Sequence, residues 1–284
     1  MIAFLGMGLL GSNFTRALLK KGNQVNVWNR THSKALPLAD AGAVVYENVA
    51  DAVADADRIH LTLKDDAAVN EVLQFALPSL KPGAVIIDHT TTSAEGAAYR
   101  TAYWQRMGLT YLHAPVFMGP QNALESTGYM LVSGDQDVVT QWEPELAKMT
   151  GLVLNFGTTV NRAAGMKLIG NLFLIAITGG LADALGLAKG LDIPVSDLTT
   201  LFDAWNPGMM LPVRLKKMTS DTFHQPTWEL VMSRKDAGLM IQEATNADIQ
   251  LTVVPAVAAL MDQYIERGFG QHDWTVIGKD NVPG

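Results

Sequence analysis

Residues 2–22 read "IAFLGMGLLGSNFTRALLKKG", and this stretch decides the fold. An apolar run is followed at once by Gly6, Gly8 and Gly11 in the spacing G-x-G-x-x-G, and the glycines open an amphipathic run. Gly6 permits a tight turn, Gly8 lets the backbone approach a pyrophosphate, and Gly11 lets a helix pack close to its strand. Met7, Leu9 and Leu10 complete the turn, and the helix start offers unpaired N–H groups and the positive end of its dipole to phosphate. Three glycines alone would say little. With strand, helix and a second strand in order, the stretch predicts a dinucleotide site.

The second strand, "QVNVW", runs into Asn29, Arg30 and Thr31. An Asp or Glu that binds a ribose 2′-hydroxyl usually stands here, about 20 residues past the glycines. Asn29 removes that charge. Arg30 can grip a 2′-phosphate with its fork and stack on adenine, and Thr31 can donate a hydrogen bond. The expected cofactor is therefore NADP(H) rather than NAD.

Further short apolar runs follow, "RIHLTL", "AVIIDH", "LTYLH", "YMLVSG" and "LVLNF", with helical patterns such as "DAAVNEVLQFALPSL" between them. This alternation predicts an α/β Rossmann domain, a doubly wound and mainly parallel sheet covered on both faces, over residues 1–158. Beyond it no strand is expected. Residues 159–284 read as an all-helical substrate and oligomerisation domain opened by a long interdomain helix. Within it, "IPVSDLTTLFDAW" suggests a helix capped by Ser196 or Asp197. Trp205 and Asn206 in "DAWNPG" form either a plain turn or one that closes over the site.

Composition excludes other classes. With 21 basic and 28 acidic residues among 284, a net charge of −7 gives no footprint for nucleic acid or an anionic membrane. No cysteine is present, so disulfides and thiolate chemistry are out, and the six histidines show no metal-ligand spacing. We expect no metal, no signal peptide, and a cytoplasmic location. The apolar run 168–177 reads as too short for a bilayer because it ends in Gly-Gly.

That run belongs to "RAAGMKLIGNLFLIAITGG", residues 162–180, into which Lys167 and Asn171 are set. An unpaired ammonium is costly to bury, so a lysine in such a segment needs a reason. On a helix Lys167 and Asn171 are four apart and share a face, with Thr178 on roughly the same side. A polar stripe on an apolar helix fits one whose side lines a small-molecule site.

Taken in order, these motifs resemble the β-hydroxyacid dehydrogenase family, that of 3-hydroxyisobutyrate dehydrogenase and its succinic semialdehyde and glyoxylate reductase kin. The resemblance spans nearly the whole chain. In "LTLKDDAAV", Leu63 and Lys64 match the loop bordering the cofactor, and Thr91 in "DHTTTSAEG" matches the threonine beside the nicotinamide. "HAPVFMGPQNALESTGYMLVSGD" is similar to the substrate loop, where Phe117, Met118 and Gly119 fall. "GMKLIGN" is similar to the catalytic segment, and "SRKDAGLM" carries the Lys-Asp pair near the cofactor as Lys235 and Asp236. The resemblance implies hydride transfer between the nicotinamide and a small carbonyl or hydroxy compound. Lys167 would be proton donor or acceptor, Asn171 its orienting partner, and both, with Thr91, would meet the substrate. It also implies a homodimer or homotetramer.

The chain departs from that pattern in several places. Phe117 and Met118 replace the first two residues of a Ser-Gly-Gly that helps hold a carboxylate, His113 replaces an acid, and Gly170 replaces the first asparagine of K-x-x-N-N. Phe117 and Met118 either pack beneath the loop or face the site and make it apolar. Two rivals follow: an imine reductase, toward which the bulky loop leans, and an NADP-binding interaction module without activity, against which the retained Lys167 argues.

Overall fold

A computed structural model describes residues 1–283. The chain divides into two compact units, Met1–Asn171 and Leu172–Gly284.

The first unit runs β1 (Ile2–Leu5), α1 (Leu9–Lys20), β2 (Val25–Trp28), β3 (Val44–Tyr46), α2 (Val49–Val53), β4 (Arg58–Leu61), α3 (Asp66–Ala76), β5 (Val85–Asp88), α4 (Ala94–Arg106) and β6 (Thr110–His113). These six strands form one parallel sheet in the order β3-β2-β1-β4-β5-β6, the doubly wound order expected from the sequence. Strand periodicity explains why it must be covered twice. Ile2 and Phe4 of β1 enter one core with Val25, Val27, Val85 and Ile87, while Ala3 and Leu5 enter another with Ile59, Leu61 and Ile86. Each of the larger of these side chains, Ala3 excepted, stabilises the fold by roughly 1.5–3 kcal/mol when fully buried. Truncating the fully buried Ile86 to alanine should cost about 2–5 kcal/mol.

A second sheet follows from β7 (Val116–Phe117), α5 (Pro120–Glu125), β8 (Tyr129–Val132), α6 (Gln136–Ala147) and β9 (Leu152–Asn155). Here β8 lies between antiparallel β7 and parallel β9. The apolar-run pattern missed β3 and β7, which at three and two residues are too short to show a period.

Helix α7 (Arg162–Gly190) passes through the division between the units, which falls after Asn171. Lys167 and Asn171 thus belong to the first unit. The expectation that the apolar run stops at Gly-Gly is corrected: the helix continues through Gly179 and Gly180. Gly179 is kept because a Cβ there would stand 2.9 Å from the Val253 side chain, so glycine admits a close neighbour. By length and composition alone, α7 could cross a bilayer.

The second unit continues with α8 (Val195–Ala204), α9 (Leu211–Met218), α10 (Leu230–Asn246) and α11 (Val253–Tyr264). It contains no named strand among the described residues, and its core gathers Phe223, Leu230, Met261, Tyr264 and Val276. Asp183 of α7 caps α11, its carboxylate accepting the N–H groups of Thr252, Val253 and Val254 at 2.8–2.9 Å. The predicted cap of α8 is wrong. Pro194 holds that position in an extended conformation without a side-chain cap bond, and Ser196 and Asp197 lie in the first turn.

Candidate active site

The glycine turn lies at the carboxyl end of β1, beside β4, where the strand order reverses. Gly6 has φ +100°, and a Cβ there would stand 2.3 Å from the Thr62 carbonyl oxygen. A Cβ on Gly11 would stand 1.9 Å from the Gly6 oxygen, so α1 could not seat with any side chain at that position. Around Gly8 the reverse holds. No atom other than its chain neighbours lies within 4 Å of its missing Cβ, which leaves room there for a phosphate to approach the backbone. Met7 is buried, whereas Leu9 is exposed and Leu10 half-buried.

Asn29 braces this turn. Its side-chain oxygen accepts the Met7 N–H at 2.8 Å, and its amide donates to the Thr31 carbonyl at 2.8 Å. Arg30 shares a cleft of about 410 Å³ with Lys64, Asp65 and Glu71. Asp65 is partly occupied as the cap of α3, accepting the Ala68 N–H at 2.9 Å. Leu63 donates its N–H to Thr90 Oγ1 at 3.0 Å, which ties the loop after β4 to the loop after β5.

That second loop carries Thr91, which is exposed between two buried threonines. Its neighbours are held by groups the motifs did not reveal. Asp88 accepts the Thr90 N–H at 2.9 Å and the Tyr111 hydroxyl at 2.6 Å. Arg100 donates to that hydroxyl and to Asp66. His113, buried where the family has an acid, places Nε2 2.9 Å from the Thr90 carbonyl. Two further histidines are buried as a pair, with His60 Nδ1 2.9 Å from His89 Nε2 and His89 Nδ1 2.7 Å from the Ala114 carbonyl. The two rings stack with Phe4. Burial drives His60 well below its ordinary value and His89 down to about 4, against the pull of the Ala114 bond on His89.

Lys167 is only 9% exposed, so it does not lie on an open edge. The start of α7 is fixed by Ser133 at the end of β8, which accepts the Ala163 N–H at 2.9 Å and donates to the Val160 carbonyl at 3.1 Å. Lys167 Nζ donates to Asn171 Oδ1 at 2.9 Å, and the Phe117 ring centre lies 4.2 Å away. No ion pair to a carboxylate is formed by Lys167 among the described residues, and burial lowers its pKa from the ordinary lysine value.

The altered loop divides in two. Phe117 faces Lys167, whereas Met118 packs against the first core and Gly119 gives its N–H to Asn122 at 2.9 Å. The other expected residues belong to the second unit. Thr178 is exposed and bonds back to the Leu174 carbonyl. Asn206 caps a single helical turn by accepting the Gly208 N–H, with Trp205 exposed beside it. In the second unit, Lys235 pairs with its own neighbour Asp236 at 2.8 Å.

Residues 1–159 match the family described as the NAD binding domain of 6-phosphogluconate dehydrogenase. The chain belongs to the β-hydroxyacid dehydrogenase family. Its first unit carries that family's dinucleotide-binding domain. Among curated relatives it is 26% identical over 281 residues to the 3-sulfolactaldehyde reductase of Escherichia coli, covering 97% of this chain and 94% of the relative. It is 28% identical over 287 residues to the cytokine-like nuclear factor N-PAC of Drosophila melanogaster, covering 96% of this chain and 46% of that protein. The chain thus spans about half the length of that nuclear factor. In fold it is similar to an imine reductase from Myxococcus stipitatus solved with NADP+, with a TM-score of 0.91 at 21% identity, over 99% of this chain and all of the other.

Proposed function

We propose that the protein is an NADPH-dependent reductase of a small carbonyl compound, with Lys167 as proton donor. The observation that carries this reading is the buried Lys167 amine, which has an amide oxygen and an aromatic ring for neighbours and no counter-ion among the described residues. A purely structural lysine has no need of such a place, because burying an unpaired ammonium costs stability.

A bound nicotinamide would supply the hydride. Gly8 and the start of α1 would hold the pyrophosphate, Arg30, which shares its cleft with Lys64, would hold a 2′-phosphate together with Thr31, and Leu63 and Thr91 would border the ring. As negative charge gathers on the substrate oxygen, the Lys167 ammonium stabilises it and gives it a proton. Asn171 holds the amine in place for that transfer. In the oxidative direction neutral Lys167 takes the proton instead, and burial, by lowering its pKa, makes that form more accessible. Lys235 and Asp236 are assigned to the cofactor on the family's motif. Following NADPH absorbance with small aldehydes, 3-hydroxy acids and cyclic imines tests the reading, since turnover of none of them would reduce the chain to a binding module.

A C=N substrate is the second reading, and one observation favours it. The residue facing the lysine is Phe117, where a carboxylate-holding serine would suit a hydroxy acid. In the same panel it predicts that cyclic imines outrun aldehydes.

We also place the protein in the cytoplasm as a homodimer or homotetramer. Leu172, Phe173, Leu174, Ile175, Ile177 and Leu181 of α7 are all exposed, an apolar face that a second copy would cover. Light scattering checks this, and a monomer at micromolar concentration would refute it.

A further inference from the structure

Two departures from the family's pattern, Phe117 and Gly170, meet in space. A Cβ built on Gly170 would stand 2.2 Å from Cζ of Phe117, 2.7 Å from Cε1 and 3.1 Å from Cε2. The ring therefore occupies the volume that any side chain at position 170 would need. Gly170 is three residues from Lys167 and precedes Asn171, so the ring lies across the helix face that presents the amine.

Neither partner can easily retreat. Phe117 is paired with Tyr129 of β8, and Ser133 at the end of that strand anchors the start of α7. Strand and helix share one mount, which fixes the ring's distance from the ammonium. At 4.2 Å from the ring centre, Nζ lies within reach of the negative π-face. With Asn171 on one side and the ring on another, the amine has few directions left for its remaining hydrogens. Burial is the cause that lowers its pKa from the ordinary lysine value.

We propose that Phe117 is a positioning residue for Lys167, that Gly170 is glycine to admit its ring, and that the pair selects substrates with an uncharged, apolar group beside the reacting carbon. The proposal rests on Lys167 as proton donor. A carboxylate brought against the ring would lose hydration and meet the negative face of the π-system. A flat or branched apolar group would instead gain contact with it. The two departures are one device, and each alone would be a defect.

A four-protein cycle tests it: parent, Gly170→Ala, Phe117→Ala and the double variant. Three readouts are taken on each: thermal midpoint, titration of the Lys167 side chain by NMR of ¹³C-lysine-labelled protein without cofactor, and the turnover ratio of an uncharged ketone to a keto acid. Gly170→Ala should lower the midpoint in the parent, where the ring is in the way. In Phe117→Ala it should raise it, because alanine is the better helix former. Phe117→Ala should let water reach the amine, move its titration toward the ordinary lysine value, and cut the ketone preference about tenfold or more. That arm adds no atom, so it reads out even if Gly170→Ala does not fold.

Equal effects of Gly170→Ala in both backgrounds would overturn the pairing. An unmoved Lys167 titration in Phe117→Ala would overturn the positioning role and leave the ring as packing, and an unchanged ketone preference would overturn the selection. If Lys167→Met turned over normally, the proton-donor reading would fall instead, and the NMR and stability cycle would still stand on their own.

Discussion

The side-chain oxygen of Asn29 accepts the Met7 N–H at 2.8 Å, joining the end of β2 to the turn after β1. With its amide donated to Thr31, Asn29 is engaged with backbone on both sides, and no carboxylate stands there for a ribose 2′-hydroxyl. Arg30 lines the adjoining cleft with Lys64. NADPH should therefore be preferred over NADH. Losing a charge-assisted phosphate contact costs about 1.5–3 kcal/mol, so Arg30→Ala should narrow the preference by roughly one to two powers of ten. Fluorescence titration of both reduced cofactors measures it, and a parent protein that binds them equally would sink the assignment.

Asp183 supports a second expectation. It is 6% exposed and accepts three backbone N–H groups at the start of α11. Burial works against its charge, but those three bonds hold its pKa below the ordinary carboxylate value. Asp183→Ala leaves the donors unmet and should destabilise the protein by about 2–4 kcal/mol in urea unfolding. A loss under about 0.5 kcal/mol would mean water replaces the cap at no cost.

Three buried histidines set an acid limit. Burial lowers the pKa of His60, His89 and His113 in the folded chain, with nearby Asp88 partly opposing it at His89 and His113. Unfolded, each titrates near 6.5, so below that pH the unfolded state binds more protons. Stability should be independent of these groups above about pH 7.5 and fall as pH drops through about 6.5, with a slope approaching about 1.4 kcal/mol per unit for each histidine that stays neutral. For His89 the loss ends near its folded value of about 4. Urea midpoints at pH 7.5, 6 and 5 provide the check, and a flat profile would show that the histidines are hydrated.

Legibility in the sequence followed the range of the interaction. Gly6, Gly8 and Gly11 act on backbone within a few residues, so their spacing alone reveals their roles. The i, i+4 bond from Lys167 to Asn171 is equally local. Strands β3 and β7 escaped because so few residues carry no period. Asp183 escaped for another reason: its partners begin 69 residues later, and nothing in its neighbourhood names them. The same holds for Phe117 and Gly170, each of which looked like a separate anomaly until the fold brought them together.

Lys167 itself gives the sharpest expectation. Replacing it with Met keeps the length of the stem and a good helix former but removes the charge and the proton. If Lys167 is the general acid, turnover should fall by about 10²–10⁴. Cofactor binding should change little, because the phosphates are assigned to Gly8, the start of α1 and Arg30. Stability should hold or rise, since an ammonium without a counter-ion among the described residues gives way to an apolar side chain that still packs under Phe117. A lysine kept for structure predicts the opposite pair, near-normal turnover with an altered midpoint. Single-turnover reduction, NADPH affinity and the thermal midpoint, measured on one preparation of Lys167→Met, separate the two accounts.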